Sequence, residues 1–160
     1  MTPDDRGERV TVSNRQRRWK IDTHRLAVIA EGALELIEAR QFHLGIVLVN
    51  DAVIATLNTR YHHTPGPTDV LSFDYGQRQR ELVISVERAV DQARRYRTTP
   101  GRELVLYVVH GILHLCGHND LTPPQRRRMR GAERRLMSRL CNHFELNGLV
   151  SVRKPKIQRL

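Results

Sequence analysis

Three histidines and an aspartate lie within one eleven-residue segment, HGILHLCGHND, which runs from His110 to Asp120. His110 and His114 are four residues apart, so on a helix both imidazoles would point from the same face, about one turn apart. Two imidazoles placed in this way can bind one metal ion at about 2.0–2.1 Å. The spacing therefore predicts a metal site with these two histidines as ligands.

A glycine follows the second histidine at a position where a helix often ends. Gly117 can adopt the positive φ of a helix C-cap, which would turn the next residues back toward the metal. A third ligand would then come from His118, Asn119 or Asp120. Three protein ligands predict an open site that also holds a water, since a closed structural zinc site needs four. The alternative is a pair of core or surface histidines without a metal.

The residue after the first histidine, Gly111, indicates which class of reaction the site could catalyse. In zinc proteases of the H-E-x-x-H type this position is a glutamate that takes a proton from water on the metal. Gly111 cannot accept a proton, which argues against such a protease. Cleavage of an RNA phosphodiester does not need that glutamate, because the 2′-hydroxyl or a metal hydroxide can attack. The motif is compatible with a nuclease and leaves the nucleophile open.

Apolar periodicity predicts the elements that position this motif. The helix from Gly101 to Cys116 is apolar nearly all round, which predicts a central buried helix with Cys116 in the core. Thr122 begins a capping-box pattern that opens a long basic helix. The other predicted elements are strands at 9–14, 43–49, 69–73 and 81–85, helices at 23–40, after Asn50 and after Ser85, and a loop at 62–68.

This order of elements is typical of an α+β fold. We expect a single domain over residues 1–150, followed by a basic C-terminal tail at 151–160. The domain should contain a small mixed sheet of four strands packed with about five helices. The metal site should lie at the end of the central buried helix.

Basic residues are concentrated in the last quarter of the chain. The 27 Lys and Arg exceed the 17 Asp and Glu by ten, and after Asp120 there are 11 basic residues against two acids. A concentrated basic surface is typical of proteins that bind polyanions, and arginine suits phosphate well. The alternative is a solvated helix face. We predict nucleic-acid contacts at four arginines of the long helix, Arg126, Arg127, Arg128 and Arg130, and the family resemblance described below implies RNA as that nucleic acid.

The remaining composition predicts a cytoplasmic protein that is not inserted in a membrane. The longest purely apolar run, LVLYVV, is far too short to span a bilayer, and the first ten residues lack the apolar core of a signal peptide. Two cysteines do not make a disulfide framework in a chain of 160 residues.

Two further segments that carry recognisable residue patterns precede the histidine motif. They are LNTRYHHTPGPTDVLSF, which begins at Leu57, and ELVISVERAVDQA, which begins at Glu81. All three segments resemble blocks of the YbeY family of bacterial rRNA-maturation endoribonucleases, whose metal-binding signature reads H-G-x-L-H-L-x-G-(aromatic)-D-H. The resemblance covers most of Leu57 to Asp120, and the combination of three blocks is highly specific.

The resemblance implies a fold, a cofactor and a substrate. These are a single-domain metallohydrolase fold, one zinc ion per chain, and cleavage of single-stranded RNA. Another transition metal could replace zinc, because affinities for such a site overlap. In the family the activity serves maturation of the 3′ end of small-subunit rRNA and ribosome quality control. The implied partners are ribosomal RNA and the small ribosomal subunit.

The chain departs from the family pattern at two positions. Asp120 stands where the family has its third histidine ligand, and carboxylate oxygen is also a zinc ligand. His118, at the family's aromatic position, is the alternative third ligand. His62 stands where the family has an arginine implicated in cleavage, so it is the candidate catalytic residue, as a phosphate contact or a general base. The alternative is a loop histidine without a role.

Two other functions fit the same residues. The protein could be a non-catalytic ribosome-assembly factor whose metal holds a loop in place, since metal binding can contribute folding free energy. It could also be a metal-dependent hydrolase of another substrate, although Gly111 weakens the case for peptides.

Overall fold

The computed structural model describes residues 8–39, 41–63, 66 and 68–153. Within them, strands and helices follow one another in a mixed order that confirms the predicted α+β class. The strands are β1 (Val10–Asn14), β2 (Trp19–Ile21), β3 (His43–Val49), β4 (Val70–Gly76), β5 (Gln79–Ser85) and β6 (Val150–Val152). The helices are α1 (Thr23–Leu36), α2 (Asp51–His62), α3 (Val86–Tyr96), α4 (Pro100–Leu115) and α5 (Pro123–His143).

Four strands form the main sheet in the order β1-β3-β5-β4. The β1–β3 and β3–β5 pairs are parallel, and β4 pairs antiparallel with β5 through a two-residue turn. The turn residues Gln77 and Arg78 both have positive φ, which suits the right-handed twist of a tight hairpin. This sheet confirms the predicted mixed four-stranded sheet, with β4 at one edge.

The two hydrophobic clusters lie on opposite faces of the main sheet, because successive side chains of a strand point to opposite faces. Leu82 and Ile84 belong to the larger cluster, which also contains the buried residues of α1 and α4. Val83 belongs to a smaller cluster with Ile54 of α2. The main core therefore lies between the sheet and α1 and α4, and α2 covers part of the other face.

Helix α4 lies at the centre of the main core, as predicted. Thr99 caps its N-terminus by accepting a hydrogen bond from the Arg102 N–H, and Pro100 occupies its first turn. Ten of its residues are buried, among them Leu104 and Ile112 with no exposed surface. Its C-terminal turn, which carries the predicted metal ligands, is held in place by this packing.

The structure differs from the sequence-based prediction at the ends of elements. Helix α1 ends at Leu36 instead of Arg40, which lies outside the described residues, and Glu38 has a positive φ that breaks the helix. Strands β2 and β6, which pair antiparallel, were not predicted because three residues give too little alternation to recognise. The predicted tail begins inside β6, and its residues 154–160 lie outside the described residues.

Among the described residues, no helix combines the length and the apolar character that a membrane span requires.

Candidate metal centre

Helix α4 ends in a glycine turn that leads the chain back beside the helix. The Gly117 N–H donates to the His114 carbonyl and the His118 N–H donates to the Leu113 carbonyl, each at 3.0 Å. Gly117 has φ +97°, as predicted from its position. These two hydrogen bonds form a Schellman motif, which satisfies the last helix carbonyls. The turn brings Asp120 next to the two histidines of α4.

The three side chains converge at their metal-binding atoms. Asp120 Oδ2 lies 3.4 Å from His114 Nε2 and 3.8 Å from His110 Nε2. One ligand atom from each of the three residues lies within 4.8 Å of the others. Two imidazole nitrogens and a carboxylate oxygen are the donors that zinc accepts in open sites. Within the described chain this group has three members, one fewer than a closed structural zinc site needs.

The alternative third ligand lies elsewhere. His118 lines a separate cavity on the side of α5, together with Cys116 and Arg135. The geometry therefore supports Asp120 as the third ligand. The prediction that Cys116 is in the core is wrong, because α4 ends at Leu115 and the exposed Cys116 is its C-cap residue.

A glutamate of α5 that the motif did not reveal orients His110. Glu133 Oε1 lies 2.5 Å from His110 Nδ1, and the Glu133 side chain is largely buried. A proton on Nδ1 that is held by this carboxylate leaves Nε2 free to bind a metal. Carboxylate–histidine pairs of this kind fix the tautomer and the ring orientation of metal ligands.

The surroundings of His110 act on its pKa in opposite directions. Burial lowers the pKa, whereas the hydrogen bond that His110 donates to Glu133, the charge of Glu133 and the charges of Asp120 and Asp69 raise it. The net effect is a pKa above the usual histidine value. In the metal-free protein these carboxylates therefore favour a protonated His110, and a cation that binds there takes the place of that proton.

The ligands open into a cleft of about 800 Å³ between α4, the end of α2 and β4. His62, the last residue of α2 and the candidate catalytic residue, lines this cleft. Asn58 also lines it, and its side-chain amide donates to the Gly66 carbonyl at 3.1 Å, which ties the following loop to α2. His62 therefore faces the same open volume as the predicted metal ligands.

Edge strand β4 forms one wall of the cleft. Ser72 and Asp74, which point to the same face of the sheet, both line the cleft. The Ser72 hydroxyl donates to the Gly111 carbonyl at 3.4 Å, which joins the strand to α4. Asp69, just before the strand, pairs with Arg88 at 3.2 Å. Asp69 thus fixes the loop, and among the described residues it is not part of the group that could hold a metal.

Gly111 has a packing role that the sequence did not disclose. A Cβ at this position would lie 2.5 Å from Leu82 Cδ2 and 3.2 Å from Ser72 Oγ. The first distance is too short for a Cβ and the second is tight, so glycine lets α4 approach β5 and β4 closely. A glutamate here, as in zinc proteases, would not fit unless Leu82 or the helix moved.

We expect Gly111→Ala to destabilise the protein by about 1–3 kcal/mol, the usual cost of adding an atom to a well-packed core. Leu82 has no exposed surface, so it has little room to move. The free energy of unfolding in urea measures the effect. Gly131→Ala, on α5, is the control, since the nearest atom there belongs to the flexible Arg135 side chain. Equal stability of both variants would contradict this packing role.

The arginines predicted to bind RNA are exposed on the first turns of α5. Arg126 donates to the carbonyls of Asp120 and Leu121, at 3.4 and 3.2 Å, and so also holds the loop of the metal site. Arg130 lines a cavity between α4 and α5 together with Glu133. Arg127 and Arg128 are exposed in the same segment.

Comparison with known families identifies the chain over most of its length. Residues 11–141 match the family described as Endoribonuclease YbeY. The chain belongs to the YbeY family. A YbeY endoribonuclease of Carboxydothermus hydrogenoformans is 33% identical over 136 residues, which are 81% of this chain and 95% of the relative. One of Geobacter metallireducens is 31% identical over 153 residues, 89% and 99% of the two chains.

A solved structure supports the fold of this YbeY family member. The solution structure of TM1509 from Thermotoga maritima matches with a TM-score of 0.58 over 83% of this chain and 89% of that chain. The two sequences are 23% identical, so this likeness concerns the fold.

Proposed function

We propose that this protein is a zinc-dependent endoribonuclease that cleaves single-stranded RNA in the cytoplasm. Its substrate would be ribosomal RNA, with a role in maturing the 3′ end of small-subunit rRNA and in ribosome quality control. The convergence of His110, His114 and Asp120 at one end of an open cleft carries this proposal. Membership of the YbeY family, whose compared relatives are named endoribonucleases, supports the same reaction.

The residues of the cleft have distinct tasks in this proposal. His110, His114 and Asp120 would hold the zinc ion, which when bound supplies a Lewis acid for the phosphate and a lowered pKa for water. Glu133 keeps His110 in the tautomer that binds through Nε2. Since the ligand side chains are 28–39% exposed, an RNA phosphate can reach them directly.

His62 would contact the scissile phosphate or carry a proton. It lines the same cleft as the ligands and lies at the C-terminus of α2. An imidazole can donate to one phosphate oxygen or accept one proton, whereas it cannot form the two parallel hydrogen bonds of a guanidinium. We therefore assign His62 a part of the role that the family's arginine has at this position.

The exposed arginines of α5 would bind rRNA phosphates. Arg127→Ser combined with Arg128→Ser should weaken binding of a single-stranded rRNA fragment and lower the dependence of log K on log salt by about 1.4, or 0.7 per lost phosphate contact. Binding measured between 50 and 300 mM salt tests this. Arg94→Ser with Arg95→Ser on α3 removes the same charge from another exposed helix as a control. Equal salt slopes for both double variants would contradict a specific role of α5.

Metal removal tests the proposed function as a whole. The parent protein should contain one zinc ion per chain and cut a single-stranded rRNA 3′ fragment, whereas a duplex of the same sequence should stay intact. Chelation should abolish cleavage and added zinc should restore it. A protein that holds zinc and binds the small subunit but cuts no RNA would favour the assembly-factor function. Cleavage of peptides and not of RNA would favour a hydrolase of another substrate.

A further inference from the structure

Three aromatic rings cluster on the sheet face opposite α4. The Phe73 ring centroid lies 5.6 Å from that of Tyr61 in an edge-to-face arrangement. It lies 6.1 Å from that of Tyr75 with an angle of only 13° between the ring planes. Tyr61 is 54% exposed and Tyr75 is 63% exposed, so both rings present surface to the solvent.

These rings form one end of a groove of about 440 Å³ on the open part of the sheet. Its floor is apolar and includes Val47, Val53 and Leu57. Arg15 also lines the groove, and the Arg60 guanidinium lies 5.5 Å from the centroid of the Tyr61 ring. The lining therefore contains one cationic group, Arg15, and one carboxylate, Glu81, and a second guanidinium lies against the Tyr61 ring. Flat aromatic surfaces beside cationic groups are the combination that binds single-stranded nucleic acid.

His62 connects the groove to the metal cleft. Its ring centroid lies 6.1 Å from that of Phe73, and it also lines the cleft that contains the metal ligands. Along β4 the residues alternate, with Ser72 and Asp74 in the cleft and Phe73 and Tyr75 in the groove. A ligand that crosses this edge strand at His62 would therefore touch both surfaces.

We propose that Tyr61, Phe73 and Tyr75 form a stacking platform for unpaired bases next to the phosphate bound at the metal centre. This inference rests on the proposed function. Aromatic side chains stack on any base, which gives affinity without sequence preference. Bases within a duplex are already stacked and paired, so the platform would select single strands.

The polar atoms around the platform agree with this occupant. The Tyr75 hydroxyl donates a hydrogen bond to Glu81 at 3.2 Å. The hydroxyl therefore has a partner, and the face of the ring stays open for stacking. Burial and the negative charge of Glu81 raise the pKa of Tyr75, so its hydroxyl stays protonated and keeps donating to Glu81. Arg15, in the groove lining, and Arg60, against the Tyr61 ring, are the cationic groups that would contact phosphates of a strand bound here.

The test compares binding of two probes, a fluorescent twelve-nucleotide oligoadenylate and the same chain with abasic sites. Tyr75→Ala should weaken binding of the oligoadenylate by at least about fivefold, the lower end of what one lost base–aromatic stack costs. Binding of the abasic probe should not change. Tyr75→Trp and Tyr75→Phe should keep the parent affinity, because both retain a ring.

Tyr96→Ala is the matched control. Tyr96 is 62% exposed at the end of α3, and an arginine lies 5.8 Å from its ring centroid, as at Tyr61. This variant should bind both probes like the parent. Equal losses for the two probes, or no loss in Tyr75→Ala, would overturn the platform. So would a change from dimer to monomer in Tyr75→Ala, which would assign the groove to a second copy of the chain.

The platform and the proposed function can fail separately. Binding is measured without cleavage, so Tyr75-dependent binding by a protein that cuts no RNA would support the platform and contradict the nuclease. Cleavage of single-stranded RNA with the same KM in the parent and in Tyr75→Ala would support the nuclease and contradict the platform.

Discussion

Replacing His114 with alanine should leave the protein folded, remove its zinc and reduce RNA cleavage by more than about 100-fold. The loss should exceed the 10- to 100-fold effect of removing a partner that only orients a ligand, because a coordinating atom itself is gone. His114 is 29% exposed and lies in the last turn of α4, so its loss should cost little folding free energy. Metal content, melting temperature and cleavage of a single-stranded rRNA 3′ fragment measure the three effects.

Two sets of variants make this result specific. His143→Ala removes an exposed histidine at the end of α5 and should keep both zinc and activity. Asp120→Ala should lose zinc, and Asp120→His, which restores the ligand type of the family signature, should keep it. If Asp120→Ala kept zinc while His118→Ala lost it, His118 would be the third ligand. Unchanged zinc content in His114→Ala would refute the predicted site.

Replacing Glu133 with glutamine should weaken zinc binding by about 10- to 100-fold, as is typical for loss of a carboxylate that orients a metal-bound histidine. The amide keeps the shape of the side chain but removes the negative charge that holds the proton on His110 Nδ1. Activity at saturating zinc should recover in large part, since the ligands themselves remain. Competition with a chromogenic zinc chelator gives the affinity ratio.

The pKa of His110 gives a second readout for Glu133→Gln. In the metal-free parent the carboxylates raise this pKa above its usual value, so the folded state binds the proton more tightly than the unfolded state. The pKa of His110 should fall in the variant, because burial still lowers it and the charge of Glu133 no longer raises it. The stabilisation of the parent over the variant should be full below the pKa of His110 in the variant and disappear as the pH rises through the raised pKa of the parent.

The exposed Glu35→Gln, in α1, is the control for this experiment. It should leave both the zinc affinity and the His110 titration unchanged. A Glu133→Gln variant with the zinc affinity of the parent would show that packing alone orients His110.

The contiguous part of the site could be predicted from the sequence. The two histidines are fixed one turn apart by the period of the helix, and the glycine predicts a turn that could return His118, Asn119 or Asp120 to them. The resemblance to the family signature then favoured Asp120. The helical spacing and the glycine turn both depend on the local backbone geometry of the segment from His110 to Asp120, so they can be predicted without knowing what packs against it. The helix and strand types around the site were predicted for the same reason, since their apolar periods are long enough to recognise.

The parts that depend on tertiary packing were not predicted. Glu133 is 23 residues from His110, and only the packing of α5 on α4 brings the two together. One signal was present, because Glu133 lies one helical turn from the buried Met129 and Met137 and is thus an acid on the apolar side of a basic helix. The close approach of Gly111 to Leu82 is a contact between a helix and a strand, and the spacing of residues along the chain does not predict such a contact.

The β-bulge of strand β4 has a consequence for solubility. Within the described residues β4 pairs with a neighbour on one side only, and an open strand edge can recruit the edge of another molecule into a continuous sheet. The register shift between Asp74 and Gly76 interrupts the ladder near the hairpin turn, and the exposed Asp74 carboxylate lies at the same point. Only a short regular stretch from Val70 remains open, which shortens the edge on which a second molecule could extend the sheet.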